Sequence, residues 1–181
     1  MGGSIMKRIA YFCFIALLLF MGSAHAQSLA EESLNKGLEY LQGGKYNEAI
    51  AELTSVIEAD PKNAVAYYNR GLAYNKIQKS GKAILDYAKA IELDPKNAEA
   101  YYNRGIVYYY RDELDMAIAD WTRTIEIDSG YAQAYQKRAF GYFKQQAYDK
   151  AWDDVRAVKK LGYGVDSNFL ENLKSASGRQ E

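Results

Sequence analysis

The chain of 181 residues holds one cysteine, one histidine and two prolines, and its 23 basic residues balance 23 acidic ones. A neutral balance supplies no broad field for drawing in nucleic acid or an anionic membrane. Both reactive residues fall in the first 26 positions, as Cys13 and His25. Those positions read as an export signal. Lys7 and Arg8 give a short positive start, Ile9 to Met21 is an unbroken apolar run, and Ala24-His25-Ala26 places small residues at a cleavage site. Cleavage is expected between Ala26 and Gln27. The thirteen apolar residues span about 20 Å as a helix, short of a bilayer core of about 30 Å. The alternative is an uncleaved anchor. Cys13 sits inside the run rather than behind it, so no lipid attachment is indicated, and Met6 starts a more usual signal than Met1.

Without residues 1–26 the chain has no cysteine and no histidine. Removing Lys7 and Arg8 leaves 21 basic against 23 acidic residues, a formal charge of −2. No disulfide is available, so the fold rests on packing. Ser-His and Cys-His nucleophile pairs and His/Cys zinc sites are excluded, and no phosphate-binding glycine loop follows a strand. The chain is expected to be non-catalytic, with no cofactor and no metal.

One period organises the rest. Ala64-Val-Ala-Tyr-Tyr-Asn-Arg-Gly71 recurs as Ala98-Glu-Ala-Tyr-Tyr-Asn-Arg-Gly105, a shift of 34, and the stretches 56–63 and 90–97 echo each other at the same shift. The register gives four units, 30–63, 64–97, 98–131 and 132–165. Position eight is small (Gly37, Gly71, Gly105, Ala139), position eleven is tyrosine (Tyr40, Tyr74, Tyr108, Tyr142) and position twenty is alanine (Ala49, Ala83, Ala117, Ala151). Small residues at eight and twenty allow two antiparallel helices to approach closely, and the tyrosine is expected to fill the wedge beside them. Ile50, Leu53 and Ile57 recur at helical spacing. Pro61 and Pro95 end second helices. Ser80-Gly81 in unit two predicts a looser turn, and Ser129-Gly130 replaces Asp-Pro in unit three. Gly162-Tyr163-Gly164 closes unit four, and a capping helix over 166–176, started by Asp166 or Ser167, is expected to turn Phe169, Leu173 and Ala176 inward. Residues 177–181 form a tail.

These marks resemble the tetratricopeptide (TPR) repeat family over about three quarters of the chain. The resemblance implies an all-α, right-handed α-solenoid of four helical hairpins plus a C-terminal capping helix. It also implies protein–protein interaction as the function; together with the export signal, the expectation is a scaffold in the bacterial cell envelope, periplasmic or secreted. In that family the first helices line a concave groove through positions two, five, six, nine, twelve and thirteen. On this sequence the partner-binding candidates are Tyr68, Asn69, Asn75, Lys76, Tyr102, Asn103, Tyr109, Gln136, Lys137 and Phe143. Tyrosines give contact area at low entropy cost, and asparagines can pair with a peptide backbone. The competing reading is that the aromatics pack between hairpins. The family's carboxylate clamp is absent as a set, because Leu34, Leu38, Tyr68, Leu72 and Glu99 stand at its polar positions. A self-associating protein, a homodimer burying the same aromatic face, is the alternative.

Position seven is basic (Lys36, Arg70, Arg104, Arg138) and position twenty-three is acidic (Glu52, Asp86, Asp120, Asp154), sixteen residues apart in each unit. A partner-facing charge stripe is one reading. The favoured one is an ion pair tying the two helices of each hairpin together, contributing about 0.2–1 kcal/mol if exposed.

Overall fold

The computed structural model describes residues 28–179. The expected signal segment, its cleavage point, Cys13 and His25 lie outside the described residues. Among those described, nine helices and no strand occur: α1 (28–42), α2 (Tyr46–Ala59), α3 (Ala64–Lys76), α4 (Ser80–Leu93), α5 (Ala98–Tyr110), α6 (Leu114–Ile127), α7 (Ala132–Lys144), α8 (Tyr148–Lys160) and α9 (Ser167–Ser177). Each even helix packs on the odd helix before it and on the one after it. Successive odd helices α3, α5 and α7 also touch. The odd layer is thus the tighter, inner side of an α-solenoid.

Close approach within each hairpin sets this stacking. A Cβ added at Gly71 would lie 2.9 Å from the Tyr87 ring, and one at Gly105 would lie 2.7 Å from Trp121 Nε1 and 3.2 Å from the Ala117 carbonyl oxygen. Gly37 meets Leu53 in the same way. The wedge beside the small position is therefore filled from the second helix by position twenty-four, not by the position-eleven tyrosine. Leu53, Tyr87, Trp121 and Val155 are all buried there, against the fully buried position-twenty alanines. Trp121 donates its Nε1–H to the Tyr102 carbonyl at 3.2 Å. The Tyr87 hydroxyl is buried without a hydrogen-bond partner among the described residues.

The position-eleven tyrosines have a different task. Arg70 lies over the Tyr67 and Tyr74 rings, Arg104 over Tyr101 and Tyr108, and Arg138 over Tyr135 and Tyr142, each at 5.6–5.9 Å. Tyrosines one turn before and after on the same helix hold each guanidinium flat. So held, it meets its aspartate through two parallel hydrogen bonds: Arg70 to Asp86 (2.8 and 2.9 Å), Arg104 to Asp120 (both 2.8 Å) and Arg138 to Asp154 (2.9 and 2.7 Å). The pairs are not exposed. Their aspartates keep only 4–9% of their side-chain surface and their arginines 16–17%. Arg70 and Arg138 also donate to Thr54 and Thr122 of the preceding unit at 3.0 Å, so each joins three helices. Arg104 lacks this third bond because Ala88 stands at the corresponding position. Unit one departs from the pattern. Lys36 pairs with Glu32 on its own helix at 2.7 Å, and Glu52 acts on it only at longer range.

The turns follow from backbone satisfaction. Gly44, Gln78, Asp112 and Gln146, all at position fifteen, take positive φ of 59–72°. Each starts a Schellman closure, in which Lys45, Lys79, Glu113 and Ala147 donate to carbonyls five residues back. The unit-two turn is closed by the same bonds as the others, so Ser80-Gly81 does not loosen it. Backbone carbonyls fix the turn, and Gly81 merely lies in open space. Between units, Asp60, Asp94 and Asp128 each accept a backbone N–H two residues on, at 2.9–3.1 Å. The aspartate is therefore kept in unit three as Asp128, and Ser129-Gly130 stands in place of Pro-Lys rather than of Asp-Pro. Asn63 and Asn97 cap α3 and α5. At the C-terminus Asp166 caps α9, and Phe169 and Leu173 are buried while Ala176 is exposed. Ser177 docks instead, accepting from Trp152 Nε1 at 3.1 Å, because α9 turns its last residues toward α8.

Three outcomes follow from this packing. Gly105→Ala should lower stability by about 1–3 kcal/mol through overpacking, whereas Gly81→Ala, on an open helix face, should raise it by about 0.5–1 kcal/mol; urea unfolding distinguishes the two. Tyr87→Phe removes a buried unpaired hydroxyl and should stabilise by about 1–3 kcal/mol in the same assay. Arg104→Ala leaves Asp120 buried and unpaired and should cost about 3–5 kcal/mol. Burial already pushes the Asp120 and Asp154 carboxyls up, against the pull of their arginines. A carboxyl whose folded pKa lies above its unfolded one favours folding on the acid side, and that contribution is lost as pH rises through the folded value. The Arg104→Ala deficit should therefore shrink as pH falls toward the ordinary carboxylate range of about 4. A deficit that is constant between neutral pH and that range would contradict it.

Candidate functional site

The inner faces of α3, α5 and α7, closed at one end by α9, form the concave surface. Tyr68, Tyr102, Asn103, Tyr109, Tyr110 and Lys144 of the odd helices stand on this side. Tyr68 Oη on α3 donates to Glu99 Oε2 on α5 at 3.0 Å and accepts from Asn103 Nδ2 at 3.1 Å. Asn103 also donates to the Glu99 carbonyl at 2.9 Å. Burial, then the nearby Glu99 charge, holds the Tyr68 hydroxyl well above its usual range, so it stays a proton donor. One hairpin further on, Tyr102 and Tyr131 lie 5.0 Å apart, and burial is the main cause that pushes Tyr131 up to about 12. Tyr109 lies 5.8 Å from both Tyr110 and Trp121, with Lys144 Nζ 4.4 Å over its ring. Lys144 also sits 3.6 Å from Asp112.

The sequence candidates therefore separate into groups. Tyr68, Tyr102, Asn103 and Tyr109 are brought together as a half-buried ladder linking neighbouring hairpins. Their faces remain on the groove while their edges serve the stack. Asn69 is buried and donates to the Val65 carbonyl of its own helix at 2.8 Å, so it is not presented to a partner; one helical turn separates it from an accessible carbonyl. Gln136 donates to the Gly164 carbonyl at 2.9 Å, and Phe143 packs on Phe169 and Tyr148. The C-terminal segment thus engages both. Asn75, Lys76 and Lys137 have side chains without a partner among the described residues. Arg70, Asp86, Arg104, Asp120, Arg138 and Asp154 form the largely buried ion pairs between the two helices of each hairpin, as described above.

Tyr110, at groove position thirteen of the repeat, is 79% exposed. Other groove residues were not marked by the repeat. Tyr131 occupies the position where the first two units carry a capping asparagine, and that substitution was the readable signal. Asn168 and Asn172 of α9 join Tyr109, Phe140, Phe143 and Lys144 around a concavity of about 250 Å³. Nothing in the repeat period foretells them, because α9 lies outside it. Among the described residues no cluster of histidine, cysteine, aspartate and glutamate could hold a metal ion.

Models described as TPR repeat match residues 37–78 and 74–111, and one described as tetratricopeptide repeat matches residues 98–131. The crystal structure of MamA is 32% identical, with a TM-score of 0.72, over 74% of this chain and 78% of that one. The first TPR of Spaghetti (RPAP3), bound to the HSP90 peptide SRMEEVD, is 30% identical, with a TM-score of 0.63, over 65% of this chain and 94% of that one. YrrB, described as a TPR protein with an unusual peptide-binding site, has a TM-score of 0.72 at 19% identity and supports the fold alone. No curated protein sequence matches. Four stacked hairpins, the repeat models and these structures together make the chain a member of the tetratricopeptide repeat family.

Proposed function

We propose that this protein is a non-catalytic interaction module of the bacterial cell envelope, which binds an extended segment or a helix of another protein in its concave groove. The observation that carries this reading is an aromatic surface whose middle is open. Tyr68, Tyr102, Tyr109 and Tyr110 offer ring area, while Asn75, Lys76 and Lys137 keep hydrogen-bonding groups uncommitted. In the second to fourth hairpins the acidic groups of this face are engaged, Glu99 by Tyr68 and Asp112 by Lys144. Lys76 and Lys137 are uncommitted cations on this face, so a segment carrying negative charge would match them. The first TPR of RPAP3 binds a peptide, SRMEEVD, which supports a peptide segment as the class of ligand, although the carboxylate clamp is absent here. The envelope location rests on the signal-like residues 1–26.

In affinity capture from envelope extract, the parent protein should retain a partner that an Asn75→Ala/Lys137→Ala variant loses, at unchanged melting temperature. Retention of the same proteins by both would remove the groove from consideration. Sedimentation or light scattering then decides for the self-associating alternative if a tight dimer appears. N-terminal sequencing of the exported protein should begin at Gln27; an intact N-terminus in the membrane fraction would replace export with anchoring.

A further inference from the structure

The closed end of the groove differs in chemistry from its middle. Its concavity of about 250 Å³ has aromatic walls, from Tyr109, Phe140 and Phe143, and an amide edge, from Asn168 and Asn172 of α9. Both asparagines are exposed, and neither side chain has a partner among the described residues. Four residues apart, they share one side of α9 and stand about 6 Å apart along its axis. An extended chain rises about 6.4–6.8 Å over two residues. Alternate residues of such a chain turn their N–H and C=O to the same edge. An asparagine side chain carries donor and acceptor together, so each can serve both groups of one residue. Asn168 and Asn172 thus match two alternate residues of an extended segment. A helix offers them little, because its backbone groups are bonded within it. Charge then narrows the side chain between those two residues. Lys144 already faces Asp112 at 3.6 Å and lies 4.4 Å over the Tyr109 ring. Asp166, on the same wall, accepts the Phe169 N–H at 2.8 Å. No surplus cation is left for a carboxylate, so a neutral side chain suits the pocket. The half-buried rings of Tyr109, Phe140 and Phe143 favour another ring in edge or offset contact.

We propose that α9 is a backbone-reading edge: Asn168 and Asn172 hold an extended segment and set one of its aromatic side chains into the concavity beside Tyr109 and Phe143. The source of that segment rests on the groove reading above, of which this selects the extended form over the helix; the affinity of the site for an extended chain does not. In an NMR titration of the protein with N-acetyl-Ser-Ala-Phe-Ala-Ser-amide, the Asn168 and Asn172 side-chain amides should shift saturably. Replacing the peptide's phenylalanine by alanine should weaken binding about tenfold. Methylating the two alanine nitrogens, which removes the donors that the asparagines meet, should cost about tenfold as well. Asn168→Ala/Asn172→Ala, on an exposed face, should weaken the parent peptide by a similar factor at unchanged melting temperature. In that variant the methylated and unmethylated peptides should bind alike, which isolates the pairing from any change in peptide shape. Absence of saturable shifts, a variant that binds as tightly as the parent, or equal binding of the phenylalanine and alanine peptides overturns the proposal. If no peptide binds while the Asn75→Ala/Lys137→Ala variant still loses its partner, the α9 edge fails and the groove stands. If the peptide series behaves as expected while that variant keeps every partner, the α9 edge stands and the groove reading falls.

Discussion

The structure depends on one contact repeated in each hairpin: a small residue at position eight facing a large one at position twenty-four. Gly71 against Tyr87 and Gly105 against Trp121 leave no room for a β-carbon, so the helices sit at the distance that the large side chain dictates. Unit four has Ala139 beside Val155, trading ring for methyl in the same space. Because that distance is constant, the even helix of one unit can also pack on the odd helix of the next. The core then runs on through the stack instead of closing within any hairpin.

The arginine cages depend on this spacing. Each guanidinium lies between two tyrosines of its own helix and reaches an aspartate on the next, a geometry that tolerates little change in helix separation. A buried ion pair contributes little net stability against an apolar replacement, because desolvation opposes the Coulombic gain. Its consequence here is register. Asp86, Asp120 and Asp154 would be left charged and dry if a hairpin slipped by one residue, so slipped arrangements are penalised strongly. Arg70 and Arg138 extend that penalty to the neighbouring unit through Thr54 and Thr122.

The same rigidity explains the character of the concave face. Tyr68, Glu99 and Asn103 connect α3 to α5 while presenting a polar edge, and Tyr102 with Tyr131 continues the row. A surface held this way loses little entropy on meeting a partner, since its side chains are already fixed. Lys76 and Lys137 stay uncommitted, whereas the glycine-flanked approach to α9 is held by the Gln136–Gly164 bond. The groove is thus an aromatic floor with a few uncommitted charges, closed at one end by a short helix.

The sequence alone determined the all-α repeat fold, because a 34-residue period with small residues at fixed positions has one economical solution: stacked helical hairpins. It also pointed to the three arginine–aspartate pairs, because a separation of sixteen residues spans one hairpin, although the same spacing in unit one leaves Lys36 paired with Glu32 instead. It did not determine which large residue fills the space beside the glycines. Positions eleven and twenty-four are both bulky in the repeat, and only the tertiary packing directs one inward and makes the other a wall for arginine. Nor could it determine which groove candidates stay available. Asn69 and Asn103 share a repeat position, yet Asn69 is buried against its own helix while Asn103 bridges to Tyr68. Gln136 and Phe143 follow the groove pattern but meet the C-terminal segment, whose placement no period encodes. Repetition fixes what every unit shares; burial, neighbours and the ends of the stack decide what each residue is left to do.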